Sequence, residues 1–272
     1  MRIPLFHVDA FASQPFTGNP AAVCPLGSWL DDELLRQVAA ENNLSETAFF
    51  VPRHGHNNRP HAGHYDLRWF TPRCEVKLCG HATLASAYVV LSVLEPELET
   101  LRFQTRRSGA LTVRKDRETY SMDFPAMFAQ TCLPPPDALI RALGPGPSPC
   151  HVLEVNETFI AVYEHESAIQ NMRPDFTRLE QLHPLVVSVT APGETADFVS
   201  RYFKPSYGMP EDPVTGSVHC ALAPYWAERL GKSQLRARQL SERGGELWCE
   251  LAGARVILKG RAVLTLRGSL VI

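Results

Sequence analysis

Leu78-Cys79-Gly80-His81-Ala82-Thr83-Leu84-Ala85 opens a long apolar run, Leu78–Leu94, whose hydrophobic residues recur at helical spacing. Gly80 and His81 stand at its start, where the first backbone N–H groups of a helix lack intrahelical partners. A second run has the same character. Glu211-Asp212-Pro213-Val214-Thr215-Gly216-Ser217 crowds polar, proline and glycine residues before the apolar stretch Val218–Leu230. The glycines are offset by 136 residues (216 less 80), and Gly109-Ala110-Leu111 and Gly245-Glu246-Leu247 share that offset. Phe70-x-Pro72 precedes the first helix as Phe203-x-Pro205 precedes the second. A glycine, a following helix and a later Gly-x-Leu strand recurring at one spacing predict an internal duplication.

Working outward, strands are expected at Leu5–Phe11, Ser45–Val51, Tyr65–Phe70, Leu101–Gln104, Ala110–Arg114 and Tyr120–Phe124. A helix is expected at Asp31–Glu41, with Leu34, Leu35, Val38 and Ala39 on one face. Between Pro125 and Cys150 the triplet Pro134–Pro136 and the run Gly144–Pro149 mark a crossover holding a short helix around Asp137–Leu143. Strands resume at Val152–Val155, Phe159–Tyr163 and Leu185–Thr190. Three more follow the second apolar helix, at Leu247–Leu251, Arg255–Lys259 and Ala262–Leu266. The expected division is 1–125, with 262–272 returning to it, and 126–261, with an active site between the halves.

Composition bounds the function classes. The chain has 272 residues, 44% of them hydrophobic, enough for two domains with buried cores. Its formal net charge of -2 offers no phosphate-coating surface, which argues against a nucleic-acid partner. No stretch of about 18 apolar residues exists, so no transmembrane helix is expected, and the opening residues do not read as a signal peptide. The seven cysteines are scattered without close pairs, which suits a reducing compartment; a cytoplasmic protein is expected. Dinucleotide, Walker and nucleophile-elbow motifs are missing, so nucleotide and serine-hydrolase readings lack support.

Three groups carry chemistry. The Thr215-Gly216-Ser217 entrance suits an anion through free amides and the helix dipole, or is ordinary capping by Asp212, Thr215 or Ser217. His81 at the first entrance faces a cleft, or is a satisfied helix-start histidine. Glu46 heads the apolar strand Thr47-Ala48-Phe49-Phe50-Val51. There a carboxyl is tuned toward general acid/base work, or lies at a strand end in solvent. Weaker signals are Cys79, whose helix-start position can lower a thiol pKa though a lone helix-start cysteine is more often inert, and His54, His56, His61 and His64, a crowd with no acid or cysteine at ligand spacing that reads rather as a polar hairpin tip. No metal and no cofactor are assigned.

Together the residues resemble the PhzF-like, or phenazine-biosynthesis-type, family. The likeness rests on His7–Phe11, Phe16–Val23, Leu44–Phe49, Leu67–Pro72, Leu78–Ala85 and Glu211–Gly216, in the family's order and spanning nearly the whole chain. The resemblance implies a duplicated diaminopimelate-epimerase-like α+β fold, each half a mixed sheet around a central helix, and often a homodimer. It implies a cofactor-independent isomerase that shifts a proton, of double-bond or keto–enol type, on a small carboxylate-bearing substrate. Glu46 falls on the family's acid/base, with His81 and Asp212 assisting, and Asn19, Gly80, Gly216 and Ser217 binding substrate. Epimerases on this fold place one cysteine at each helix start. Here Cys79 fills the first place and no cysteine fills the second, which weighs against an amino-acid epimerase or racemase. A protein keeping the fold only to bind small molecules is the other alternative.

Overall fold

The computed structural model describes residues 1–54 and 60–272. The chain divides into two compact units, Met1–Asp123 with Lys259–Ile272, and Phe124–Leu258.

The first unit begins with β1 (Arg2–Ala10), β2 (Asn19–Pro25), α1 (Asp32–Asn42), β3 (Glu46–His54), β4 (Pro60–Phe70) and β5 (Glu75–Val76). Helix α2 (Gly80–Val89) follows and runs through a π-helical turn to Leu94. β6 (Thr100–Thr105), β7 (Ala110–Asp116) and β8 (Thr119–Pro125) come after it. The last strand, Ala262–Val271, pairs antiparallel with β1. β2 lies parallel to β3, β3 antiparallel to β4, β4 parallel to β6 and β6 antiparallel to β7. α2 packs on β1, β2 and β3. Residues His81–Ala87 of α2 are all buried, which explains why this helix is apolar around its whole circumference.

The second unit holds β9 (Gln130–Thr131), α3 (Asp137–Ala142), β10 (His151–Val155), β11 (Thr158–Val162), α4 (Glu166–Gln170) and α5 (Phe176–Glu180). It continues with β12 (Val186–Pro192), β13 (Phe198–Lys204), β14 (Met209–Glu211), α6 (Gly216–Leu230), β15 (Gln234–Gln239), β16 (Gly245–Ala252) and β17 (Arg255–Gly260). β11 lies parallel to β12, β12 antiparallel to β13, β13 parallel to β15 and β15 antiparallel to β16. This is the pairing order of the first unit, so the duplication expected from the glycine spacing is present in strand topology. α6 packs on β15 and β16. Pro224 sits inside it, and the Cys220 carbonyl that a proline leaves without its helical donor accepts from Met127 N–H at 2.9 Å.

A buried ion pair repeats as well. On β4, Arg68 donates from both sides of its guanidinium to Glu75 at 2.8 and 2.9 Å and lies over the Phe70 ring. On β13, Arg201 donates to Glu211 at 2.8 and 2.8 Å and lies over Phe203. Both arginines are buried, at 4% and 9% exposure. Each pair joins the long strand preceding the central helix to the short strand after it, and so fixes the chain where it turns toward that helix.

β2 and the short β5 were not expected from the sequence. β2 reads as Asn-Pro-Ala-Ala-Val-Cys-Pro, with a proline near each end and little β-branching, yet it is flanked by β1 and β3 and mostly buried. Its entry is shaped by Gly18, which has φ +68° and whose added Cβ would stand 2.2 Å from the Ala10 carbonyl oxygen. Gly18→Ala is therefore expected to destabilise by about 2–3 kcal/mol, combining a left-handed backbone penalty with overlap against main chain. Urea unfolding checks this, and an unchanged midpoint would contradict it. Among the described residues, no helix is long and apolar enough to cross a membrane.

Candidate active site

Asn19, Glu46 and His81 are brought to one place by three elements of the first unit. Asn19 opens β2, directly after the Gly18 turn. The Asp9 carboxylate steadies that turn by accepting from Phe16 N–H at 2.8 Å. Glu46 opens β3, opposite Ala21 in the parallel pairing with β2. The preceding helix α1 ends at Asn43 in left-handed geometry, so the chain reverses at once and Glu46 enters the sheet. His81 is the second residue of α2, whose first turn follows the extended Cys79.

The side chains meet around the imidazole. His81 Nε2 lies 3.2 Å from Glu46 Oε2. Its Nδ1 lies 3.2 Å from the Asn19 amide nitrogen and 3.5 Å from Cys79 Sγ. All four residues are buried, with Glu46 at 7% and His81 at 5% exposure. The solvent-exposed alternative for Glu46 is thus removed, and His81 is more enclosed than an open cleft position would make it.

Burial alone would lower the His81 pKa, but the Cys79 sulfur and the Glu46 carboxylate act the other way and hold it well above its ordinary value. The imidazolium then faces the Glu46 carboxylate as a buried ion pair. For Cys79, burial first and the Glu46 charge second push the thiol up. Of the two sequence readings, a thiol lowered by the helix start or an inert one, the raised value favours the second. Enclosure by Glu46 and apolar neighbours outweighs that local effect.

A raised His81 value fixes the sign of its pH dependence. Its contribution to stability is fully present below the unfolded value of about 6.5 and is lost as pH rises through the higher folded value. The His81 ring resonances, followed by NMR across pH, are expected to titrate above 6.5, and in Glu46→Gln the midpoint should fall. A midpoint unmoved by that substitution would contradict the ion pair.

The second-unit candidates form their own cluster. Asp212 follows β14, is 3% exposed, and donates its backbone N–H to the Tyr202 carbonyl at 2.9 Å. Thr215 Oγ1 donates to its carboxylate, and Lys204 Nζ lies 3.5 Å from Oδ1. Gln239 ties this turn to β15: its amide donates to the Asp212 carbonyl at 2.7 Å, and its oxygen accepts Thr215 N–H at 2.9 Å. Thr215 precedes α6 without capping it through its side chain. Gly216 is buried in the first turn, whereas Ser217 is exposed and lines a pocket of about 630 Å³ with Lys204, Tyr202, Tyr207 and Asn156. Burial pushes the Tyr202 phenol up to about 12, so it stays protonated at neutral pH.

Lys204, Tyr202 and Gln239 were not singled out from sequence, and only their neighbours in space mark them. His219 has a structural role. Burial lowers it to about 4, and its Nδ1–H donates to the Thr215 carbonyl at 2.7 Å. Of the loop histidines, the rings of His61 and His64 lie 4.0 Å apart. His56, with Gly55, Asn57 and Asn58, lies outside the described residues. Histidine, cysteine and carboxylate do converge elsewhere: ligand atoms of Glu46, Cys79 and His81 all lie within 4.8 Å of one another.

Comparison with known proteins bears on this geometry. The sequence matches the model of the phenazine biosynthesis-like protein family over residues 8–268. An uncharacterized isomerase of Pseudomonas aeruginosa is 50% identical over 270 residues, 99% of each chain. The crystal structure of a PhzF-family phenazine biosynthesis protein from Enterococcus faecalis is 41% identical, with a TM-score of 0.92 covering 100% of both chains. A hydroxyproline epimerase from Agrobacterium vitis has a TM-score of 0.62 at 10% identity, covering 99% of this chain and 92% of its own, a likeness of fold alone. The duplicated α+β fold expected from the sequence is the one found.

Proposed function

The chain belongs to the phenazine biosynthesis-like protein family, and from that premise we propose an isomerase that moves a proton on a small carboxylate-bearing substrate without a cofactor, with Glu46 as acid/base. The observation that carries the proposal is the buried Glu46 carboxylate, 3.2 Å from a His81 imidazole whose pKa is raised. A base needs a carboxylate that is ionised yet poorly hydrated, so that taking a proton in the transition state is favourable. An imidazolium beside it keeps the carboxylate charged at rest and can polarise a substrate oxygen when Glu46 becomes protonated. Asn19 borders the same imidazole at Nδ1, where its amide, turned to present oxygen, would accept the imidazolium proton.

Glu46 would remove a proton from one carbon and return it to another, giving a double-bond or keto–enol isomer. Gly80 supplies backbone at the helix start. Asp212, Gly216 and Ser217 belong to the proposal as further substrate contacts, a role supported by the family motif. Homodimer assembly and a cytoplasmic setting are part of the same reading, and sedimentation of the purified protein checks the former.

A two-thiol racemase mechanism has less support here. The second helix start carries Thr215 rather than cysteine, and the Cys79 thiol is pushed up rather than down, away from a good base. The two chemistries separate in a screen. Purified protein in heavy water is offered small unsaturated carboxylates, dihydro-hydroxyanthranilate among them, and a panel of amino acids, with NMR observing each carbon. Isomerisation of an unsaturated carboxylate with deuterium uptake is the expected result. Inversion at an amino-acid α-carbon would replace the proposal with the epimerase reading.

A further inference from the structure

Glu46, Cys79 and His81 present a carboxylate oxygen, a sulfur and an imidazole nitrogen at one point, all within 4.8 Å. Proton transfer by Glu46 gives the sulfur no part. His81 Nε2 stands 3.2 Å from Glu46 Oε2 and 3.9 Å from Cys79 Sγ. Ligands at about 2.0–2.3 Å from a tetrahedral zinc ion stand roughly 3.3–3.6 Å from each other, so the Glu46–His81 edge already fits and the His81–Cys79 edge is long by a few tenths of an ångström, while the Glu46–Cys79 edge, within 4.8 Å, closes by a turn of the Cys79 side chain. Their backbones are set by β3, by the first turn of α2 and, for Cys79, by its extended position at the cap of α2. The donor set selects the cation. Magnesium and calcium demand oxygens, whereas a mixed nitrogen, sulfur and oxygen set suits a borderline-soft ion such as zinc. Asn19, beside His81 Nδ1, stands where an outer partner fixes a ligating imidazole; with metal on Nε2, the amide turns to accept the Nδ1 proton.

We propose that Glu46, Cys79 and His81 form a reversible inhibitory site for Zn2+, with three protein ligands and one open position. On binding, the ion takes Cys79 as thiolate and His81 as neutral imidazole and releases one proton from each. It then occupies the lone pairs of Glu46 and His81, so neither can exchange a proton with substrate. Binding stands on the donor geometry alone, whereas inhibition rests on the proposal that Glu46 is the base.

The test titrates metal-free, full-length protein with Co2+. One equivalent is expected to bind with the intense visible bands of tetrahedral cobalt and a thiolate-to-cobalt charge-transfer band in the near ultraviolet, both erased by Zn2+. Cys79→Ser is expected to lose the charge-transfer band while circular dichroism and thermal unfolding report an intact fold. Cys74→Ser, at an exposed cysteine, is expected to keep it. Asn19→Ala is expected to weaken cobalt binding roughly tenfold or more. Absence of the band in wild-type protein, or its survival in Cys79→Ser, would overturn the site. A band present with turnover unchanged at saturating Zn2+ would overturn the inhibitory role and not the cation site.

Discussion

Glu46→Gln is expected to lower turnover by roughly 10²–10⁴-fold, the usual contribution of a positioned acid/base group, with the fold retained. Glutamine keeps the volume of the side chain and can still accept the His81 N–H, so strand β3 and its pairing with β2 have no reason to shift. What is lost is the group that carries the proton. KM should change little if substrate contacts lie mainly elsewhere, because an interaction made only in the transition state appears in kcat and in kcat/KM alike. A variant that turned over at the wild-type rate would remove Glu46 from the mechanism. One that failed to fold, by circular dichroism, would move the residue from chemistry to structure.

Glu211→Leu is expected to show the largest loss of stability, about 3–5 kcal/mol, because it leaves the buried Arg201 guanidinium without its carboxylate. Arg201 keeps hydrogen bonds to the Ile169 and Met172 carbonyls at 3.2 and 2.9 Å, which favours the lower end of that range. The equivalent change in the first unit, Glu75→Leu, should cost less. There Arg68 retains the Asp32 carboxylate at 2.8 Å, a partner that Arg201 has no counterpart for in its ion pairs. Restoring balance by the double substitution Arg201→Met with Glu211→Leu is expected to recover much of the loss, since a well-packed apolar pair avoids desolvating two charges. Denaturant unfolding of the two singles and the double reads all three quantities. Equal losses for Glu75→Leu and Glu211→Leu would contradict the role given to Asp32.

The two ion pairs also show what could be read from the chain and what could not. Phe-x-Pro before each central helix was legible, as were the helix starts at Gly80 and Gly216, because glycine and proline mark backbone geometry directly. The arginine two residues before each phenylalanine was not. A buried arginine looks like a surface one in any hydropathy pattern, and its glutamate follows seven residues later in the first unit but ten in the second. β13 was missed for the same reason: Arg201 interrupts the apolar run, and Glu211 with the Ile169 and Met172 carbonyls makes its burial tolerable. β15, Gln-Leu-Arg-Ala-Arg-Gln, buries only Leu235, Ala237 and Gln239, too little side chain to announce a strand.

Glu46 was legible as a carboxylate heading an apolar strand, and the structure encloses it. The surroundings of Cys79 were not legible. The helix-start rule sees only the local dipole, whereas the pKa of the thiol is set by burial and by a carboxylate more than thirty residues away in sequence. The meeting of Asn19, Glu46, Cys79 and His81 is likewise a product of sheet order, β2 beside β3 with α2 laid across both, which no local pattern encodes.

The most direct test of the account is solvent deuterium uptake, followed by NMR, into whichever substrate the screen identifies, measured side by side for wild-type protein, Glu46→Gln and Cys79→Ser. The account predicts uptake in wild-type protein, its loss in Glu46→Gln and its retention in Cys79→Ser. Uptake that survives in Glu46→Gln and vanishes in Cys79→Ser would contradict it, and would give the proton to the thiol.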